Sequence, residues 1–302
     1  MTKLFLVARF QFLICGMALF AFGALWAVLM GAPVYLSRIL LGYLVLLPAH
    51  LSISYSNDYF DVDVDKYDTP TLFSGGSGVL VDNPGLRKPA KWIAITLIMC
   101  SLALGIVFQI LYSFPIWFLG IVLLGNLLGW FYSAPPVRLA YRGLGELSMA
   151  VSIGLLIPGF GYLVTSGQLN GDGLLFIIPL TLYGLAFILN VEIPDMESDR
   201  LGNKRTWIAR KGRVFGFTLI AVSFFLATLF FLCFPWLTSR SYPLDFRFMG
   251  ILSFLPLAAG SIGLLRRPVV KQQAAQIVNG IMIAIAAFCF LVDGYFVNLV
   301  FS

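Results

Sequence analysis

Long apolar stretches alternate with short polar ones along the chain. Nine stretches carry almost no charge, at about 10–31, 35–56, 91–112, 114–131, 144–165, 174–194, 213–237, 248–265 and 275–299. A helix rises 1.5 Å per residue, so about 20 apolar residues cross the roughly 30 Å hydrocarbon core of a bilayer. The pattern predicts an all-α, polytopic membrane protein with nine transmembrane helices in a bundle. These segments and their connections use nearly all of the 302 residues, giving one transmembrane domain over 1–302. The first stretch is too long for a signal-peptide core and reads as the first span.

Composition sharpens this reading. Hydrophobic residues make up 60% of the chain and charged ones only 11%, and the mean hydropathy is +0.92. A soluble domain carries about 25% charge. A soluble globular enzyme and a disordered chain are therefore excluded, and no nucleic-acid partner is expected despite the net charge of +6. With the N-terminus inside, 17 of the 20 Lys and Arg fall on the cytoplasmic side. The positive-inside bias thus predicts a multi-pass protein of the cell (plasma) membrane, N-terminus cytoplasmic and C-terminus outside. Cys15, Cys100, Cys233 and Cys289 all fall within spans without a C-x-x-C pair and read as packing residues.

Eleven of the 14 acidic residues share the cytoplasmic side. Acidic residues contribute little to topology, so their clustering needs a chemical cause. The first cluster, after span 2, reads Asn57-Asp58-Tyr59-Phe60-Asp61-Val62-Asp63-Val64-Asp65. On a helix, Asn57, Asp58, Asp61 and Asp65 share one face and Asp63 points away. Stacked carboxylates repel unless cations bind them or their pKa values rise. Mg²⁺ favours hard oxygen ligands and keeps substrate phosphates, so this face suits a magnesium diphosphate. An EF-hand is excluded because Lys66 and Leu72 stand where its Gly and Glu belong. The second cluster, after span 6, is Glu192-Ile193-Pro194-Asp195-Met196-Glu197-Ser198-Asp199, with Pro194 expected to kink the helix end. Lys204 and Arg205 follow and suit a phosphate. Equivalent positions of the two clusters suggest a pseudo-repeat of helices 1–4 and 5–8, plus helix 9.

Other features stay open on residues alone. Tyr132-Ser133-Ala134-Pro135-Pro136-Val137-Arg138 is a rigid turn that holds Tyr132 and Arg138, or merely ends a helix. Ser74-Gly75-Gly76-Ser77-Gly78 is a lid, an anion-binding nest or a linker. Arg9 snorkels or meets a substrate anion. His50 reads as packed and hydrogen-bonded. Asp293 lies at membrane depth but toward the outer side, away from the clusters.

Asn57-Asp58-x-x-Asp61-x-x-x-Asp65 and Asp195-x-x-x-Asp199, together with the Tyr-Ser-x-Pro-Pro turn, resemble the motifs of the UbiA superfamily of intramembrane prenyltransferases. Asp68-Thr69-Pro70 and the following FSGGSGVL look most like the 1,4-dihydroxy-2-naphthoate prenyltransferases of menaquinone synthesis. The resemblance implies a nine-helix bundle whose central cavity opens to the cytoplasmic side. It implies two Mg²⁺ ions held with the diphosphate by Asn57, Asp58, Asp61, Asp65, Asp195 and Asp199. Arg9, Tyr132, Arg138 and Lys204 would assist the diphosphate. The implied reaction moves a prenyl group from an allylic prenyl diphosphate to an aromatic acceptor within the lipid bilayer. Asp61 and Asp195 are the candidate bases, and Tyr59, Phe60, Trp130 and Phe131 are expected near the mouth to stabilise a cation. Competing readings are an archaeal ether-lipid transferase or terpene cyclase of the same fold, and a cation-coupled transporter. The transporter would need carboxylates near the bilayer midplane.

Overall fold

The computed structural model describes residues 2–301, and their regular structure is entirely helical. Each apolar stretch becomes a helix: α1 Phe10–Leu29, α2 Leu36–Asp65, α3 Arg87–Leu111, α4 Trp117–Ser133, α5 Gly145–Ser166, α6 Ile177–Glu192, α7 Arg213–Leu237, α8 Phe246–Arg266 and α9 Lys271–Phe301. Among the described residues, seven of these are long and apolar enough to cross a membrane. The remaining two, α4 and α6, have 17 and 16 residues. That is about 24–26 Å of helix, at the lower limit for a span.

Two boundaries matter for function. Helix α2 does not stop where its apolar stretch ends but runs on to Asp65. Its last turns stay helical because Val62 and Val64 bury between the polar positions, while Asp63 is exposed. Helix α6 ends at Glu192, and Pro194 sits in the turn that leads to a short helix, Met196–Leu201. Proline cannot continue a helix ladder, so the chain bends where the second acidic cluster begins.

Helix α1 is central, packing on α5 on one side and α9 on the other. Helix α2 packs on α3 and α4, while α7 packs on α6 and α8. The α1–α5 crossing is backbone on backbone: a Cβ at Gly23 would fall 1.8 Å from the Pro158 carbonyl oxygen. Small residues permit such approach where lipid supplies no hydrophobic drive and packing must hold helices together. Near this crossing α5 widens into a π turn over Ser152–Leu156, just before Pro158. Insertion of an extra residue per turn is a common response to a missing ladder hydrogen bond.

Aromatic rings concentrate toward the end of the bundle opposite the acidic clusters. Trp26, Phe176, Phe231, Phe246 and Phe296 form one group, and Phe108, Phe114, Phe118 and Phe160 another. Phe176 meets Trp26 edge-on with centroids 5.0 Å apart, and each such pair contributes about 0.5–1.5 kcal/mol beyond its burial. Large apolar side chains such as Ile110, Leu111, Trp236 and Leu265 point outward. On a water-facing surface they would be a liability; against lipid tails they cost nothing.

Candidate active site

Both acidic clusters line one cavity of about 220 Å³, whose wall also includes Arg9, Tyr132 and Lys204. The sequence brings them together because the inward face of α2 and the Ile193-Pro194-Asp195 bend end at the same mouth. Asn57, Asp58, Asp61 and Asp65 reach the cavity from α2, and Asp195 and Asp199 reach it from the segment after α6.

Lys204 joins the clusters. Its Nζ donates to Asp61 Oδ2 at 3.0 Å and stands 3.9 Å from Asp199 Oδ1. It also lies 5.8 Å from the centroid of the Tyr132 ring and 6.0 Å from that of Tyr141. Burial alone would lower the Lys204 pKa; Asp61 and Asp199 outweigh it and hold the ammonium well above its ordinary value. Asp61 is held by three donors: besides Lys204, it accepts from Ser133 Oγ and Tyr141 Oη, each at 2.9 Å. Asp199 accepts from Thr206 Oγ1 at 2.9 Å. Desolvation raises Asp199 to about 6, and desolvation with the like charge of Asp199 raises Asp195 to about 7.

The glycine-rich loop closes over the carboxylates. Gly75 N–H donates to Asp195 Oδ2 at 2.9 Å, and Ser77 donates to Asp58 Oδ2 from both its backbone and its hydroxyl. The loop is therefore a clasp between the two clusters, and the anions its amides hold are the protein's own carboxylates. Gly76 has φ 61°, and a Cβ there would fall 2.4 Å from Asp65 Oδ2, so only glycine fits without displacement. Asp68, also in the cavity wall, accepts from Ser198 Oγ at 2.9 Å and pairs with Lys271 of α9.

Several expectations need revision. Arg138 is absent from the described cavity wall; its guanidinium stacks 4.1 Å over Tyr141, so it reaches Asp61 only through that ring. Tyr59, Phe60, Trp130 and Phe131 also fall outside the wall, where Phe60 and Trp130 pack edge to face at 5.2 Å. A helix that turns Asp58 and Asp61 inward must turn Tyr59 and Phe60 away. The aromatic faces in the wall are Phe12, Tyr132, Phe160 and Phe187. His50 lines the cavity and packs on Gly16, but makes no hydrogen bond among the described residues. Arg9 stacks 4.6 Å over Phe12 in a left-handed conformation, φ 47°, and leaves Nη2 buried without a partner. Asp293 lies outside the wall. Tyr141 and Ser133 join the site through Asp61, and Gly75 and Ser77 of the glycine-rich segment join it through Asp195 and Asp58. Only the Tyr-Ser-x-Pro-Pro turn pointed at Ser133, and nothing in the spacing pointed at Tyr141.

The residues present fit a diphosphate-bound cation better than a closed metal cage. Among the described residues no three carboxylates, histidines or cysteines converge on a single point. Mg²⁺ binds through one or two carboxylates plus waters and substrate phosphates, so a spread set is the suitable form. Asn57 Oδ1, buried and without a hydrogen-bond partner, is a donor atom left over for such a cation.

The chain is thus an all-helical, membrane-type bundle with a mostly apolar internal cavity that carries carboxylates at one end. Residues 17–278 match the UbiA prenyltransferase family, and the chain belongs to that family. It is 28% identical over 171 residues to the 1,4-dihydroxy-2-naphthoate octaprenyltransferase of Bacillus subtilis, covering 57% of this chain and 54% of that protein. It is 31% identical over 113 residues to the human UbiA prenyltransferase domain-containing protein 1, covering 37% of this chain and 33% of that one. The matches thus span between a third and about half of these relatives' length. A UbiA homologue from Archaeoglobus fulgidus, solved with DMAPP and Mg²⁺, shares the fold at a TM-score of 0.61 and 14% identity, covering 95% of this chain and 99% of that one. A UbiA homologue from Aeropyrum pernix K1 aligns at a TM-score of 0.63 and 15% identity, covering 91% of this chain and 97% of that one.

Proposed function

We propose that this protein transfers a prenyl group from an allylic prenyl diphosphate to an aromatic acceptor, in menaquinone or related prenylquinone synthesis. One observation carries this reading: two acidic clusters far apart in sequence, bridged by a buried lysine, line one end of a cavity whose remaining wall is mostly apolar. The transporter reading expects carboxylates at mid-depth; these sit at helix ends. The Bacillus relative's name supports a naphthoate-type acceptor.

Asn57, Asp58, Asp61, Asp65, Asp195 and Asp199 would hold Mg²⁺, taken as two ions. The metal would supply positive charge to the departing diphosphate. Lys204 and Arg9, facing the same end, add fixed cations where negative charge develops as the C–O bond of the allylic diphosphate breaks. Asp61, which accepts from Ser133, Tyr141 and Lys204, is held in a fixed orientation that suits an electrostatic task. Asp195, whose Oδ1 has no hydrogen-bond partner among the described residues, would accept the proton lost by the acceptor ring after its carbon attacks the allylic centre. Tyr132, Phe12 and Phe187 line the cavity where aromatic rings would stabilise an allylic cation, and the apolar wall would exclude water that quenches it. Arg138 steadies Tyr141, which in turn holds Asp61. The charge bias puts the cavity mouth and N-terminus on the cytoplasmic side of the plasma membrane and the C-terminus outside.

The test is product analysis with purified protein, Mg²⁺, radiolabelled geranyl and geranylgeranyl diphosphates, and 1,4-dihydroxy-2-naphthoate and 4-hydroxybenzoate as acceptors. A prenylated naphthoate product is expected. Release of a cyclic terpene, or no consumption of either diphosphate, would overturn the reading.

A further inference from the structure

The deep end of the cavity is not uniformly apolar. His50 and Ser54 of α2 and Asn126 of α4 line it, with Ser101 of α3 behind. Asn57 and Ser133 sit at the mouth, and His50 and Asn126 each lie seven residues earlier on their helices, about 10 Å deeper. The two are at similar depth, because Gly129 lies against Ile53 between these levels.

The amide of Asn126 is oriented by its neighbours. Ser101 Oγ donates to the Val45 carbonyl at 2.9 Å, so it can only accept from Asn126 Nδ2, at 3.1 Å. Nδ2 also donates to the Val122 carbonyl at 2.9 Å. Both amide hydrogens are thereby used, the side chain cannot flip, and Oδ1 is left as a bare acceptor. That residue is 3% exposed, and its Oδ1 has no partner among the described residues. His50 adds a ring with one donor and one acceptor when neutral, and it too makes no hydrogen bond among the described residues. Gly16 makes room for it: a Cβ there would fall 2.4 Å from His50 Cε1. Unsatisfied polar groups within a hydrocarbon-depth interior are costly and persist where a ligand satisfies them.

We infer that His50 and Asn126 form a subsite for a hydroxyl group of the prenyl acceptor, with Asn126 Oδ1 accepting the hydroxyl hydrogen and His50 holding the oxygen or a second hydroxyl. This rests on the proposed prenyl transfer. The prenyl tail offers no polar atom to these groups, whereas a hydroxyaromatic ring seated below the allylic carbon presents one edge to the reacting centre and its hydroxyls to the polar floor. The subsite selects phenolic acceptors over equally apolar molecules of the same size. A site built to hydrogen-bond a hydroxyl rejects the analogue lacking it, because its own buried groups are then left unpaired.

The test compares binding of 1,4-dihydroxynaphthalene with that of 1,4-dimethoxynaphthalene, which has a similar ring but no donor. The full chain in detergent micelles is used, followed by tryptophan fluorescence. Wild type is expected to prefer the diol about 10-fold. Asn126→Leu should abolish that preference. Because Asn126 also ties α4 to α3, His50→Leu is the second variant; it loses no hydrogen bond to the protein and should reduce the preference several-fold. Mg²⁺-dependent binding of geranyl diphosphate, measured on the same samples, should change less than about threefold in both. An unchanged diol preference in both variants, with geranyl diphosphate still bound, would overturn the subsite and leave the proposed function standing. Absence of geranyl diphosphate binding in wild type would overturn both.

Discussion

Replacing Lys204 by methionine removes a buried charge that bridges the two acidic clusters while keeping much of the side-chain volume. The lysine side chain is 14% exposed, and those of Asp61 and Asp199 are 6% and 4%. At 3.0 Å and an effective dielectric constant of about 20, the Lys204–Asp61 attraction is about 5 kcal/mol before desolvation is charged against it. Removing one partner of a buried pair costs about 3–5 kcal/mol, most of it from the charge left stranded. Lys204→Met should therefore lower thermal stability in micelles and abolish prenyl transfer. Lys204→Met combined with Asp61→Asn removes the stranded charge as well. The double variant should recover most of the lost stability, a coupling of about 1–3 kcal/mol, without recovering turnover. Melting followed by intrinsic fluorescence, alongside transfer from geranyl diphosphate, reads both quantities. A double variant less stable than the single one would refute the reasoning, since it would mean that Asp61 and Lys204 stabilise the bundle independently.

Three further outcomes follow from the geometry. Gly23→Leu forces side-chain atoms into the α5 backbone at Pro158 and should prevent accumulation of folded protein, read as loss of the monodisperse peak in size-exclusion chromatography; a normal peak would contradict the α1–α5 crossing. Gly76→Ala should displace the clasp from Asp65 and cut turnover about tenfold or more with little change in melting temperature, as a strained left-handed residue costs only about 1–2 kcal/mol. Cation binding needs the carboxylates ionised, and with Asp199 raised to about 6 and Asp195 to about 7, Mg²⁺ affinity should climb as pH rises through that interval and fall as it drops below. Calorimetric titration at several pH values would show this, and a flat profile would mean these two carboxylates do not meet the metal.

Much of the fold is legible because the membrane leaves few choices: long apolar stretches must become helices, and among the described residues each does, seven of them at full span length. The α2 cluster is legible for the same reason, since three- and four-residue spacing fixes one face, and Asp63 turns outward as the period requires. What the spacing misses depends on tertiary contact. Tyr141 reaches Asp61 from a turn between α4 and α5, with a sequence separation of 80 residues. Gly75 meets Asp195 across 120 residues, so the clasp looks like an ordinary flexible loop in the sequence. Tyr59 and Phe60 adjoin the motif along the chain, but helix phase turns them out of the cavity wall. From sequence alone His50 reads as a packed residue; its place in a cavity wall emerges only once α1 and Gly16 stand beside α2.

On the proposed function, both acidic clusters grip one metal–diphosphate unit. The direct measurement is calorimetric binding of a non-ionising geranyl thiolodiphosphate with Mg²⁺ to wild type, Asp58→Asn and Asp195→Asn. Each variant, drawn from a different cluster, should weaken Mg²⁺-dependent binding about tenfold or more, because neither cluster suffices alone. Wild-type affinity in either variant would contradict the claim.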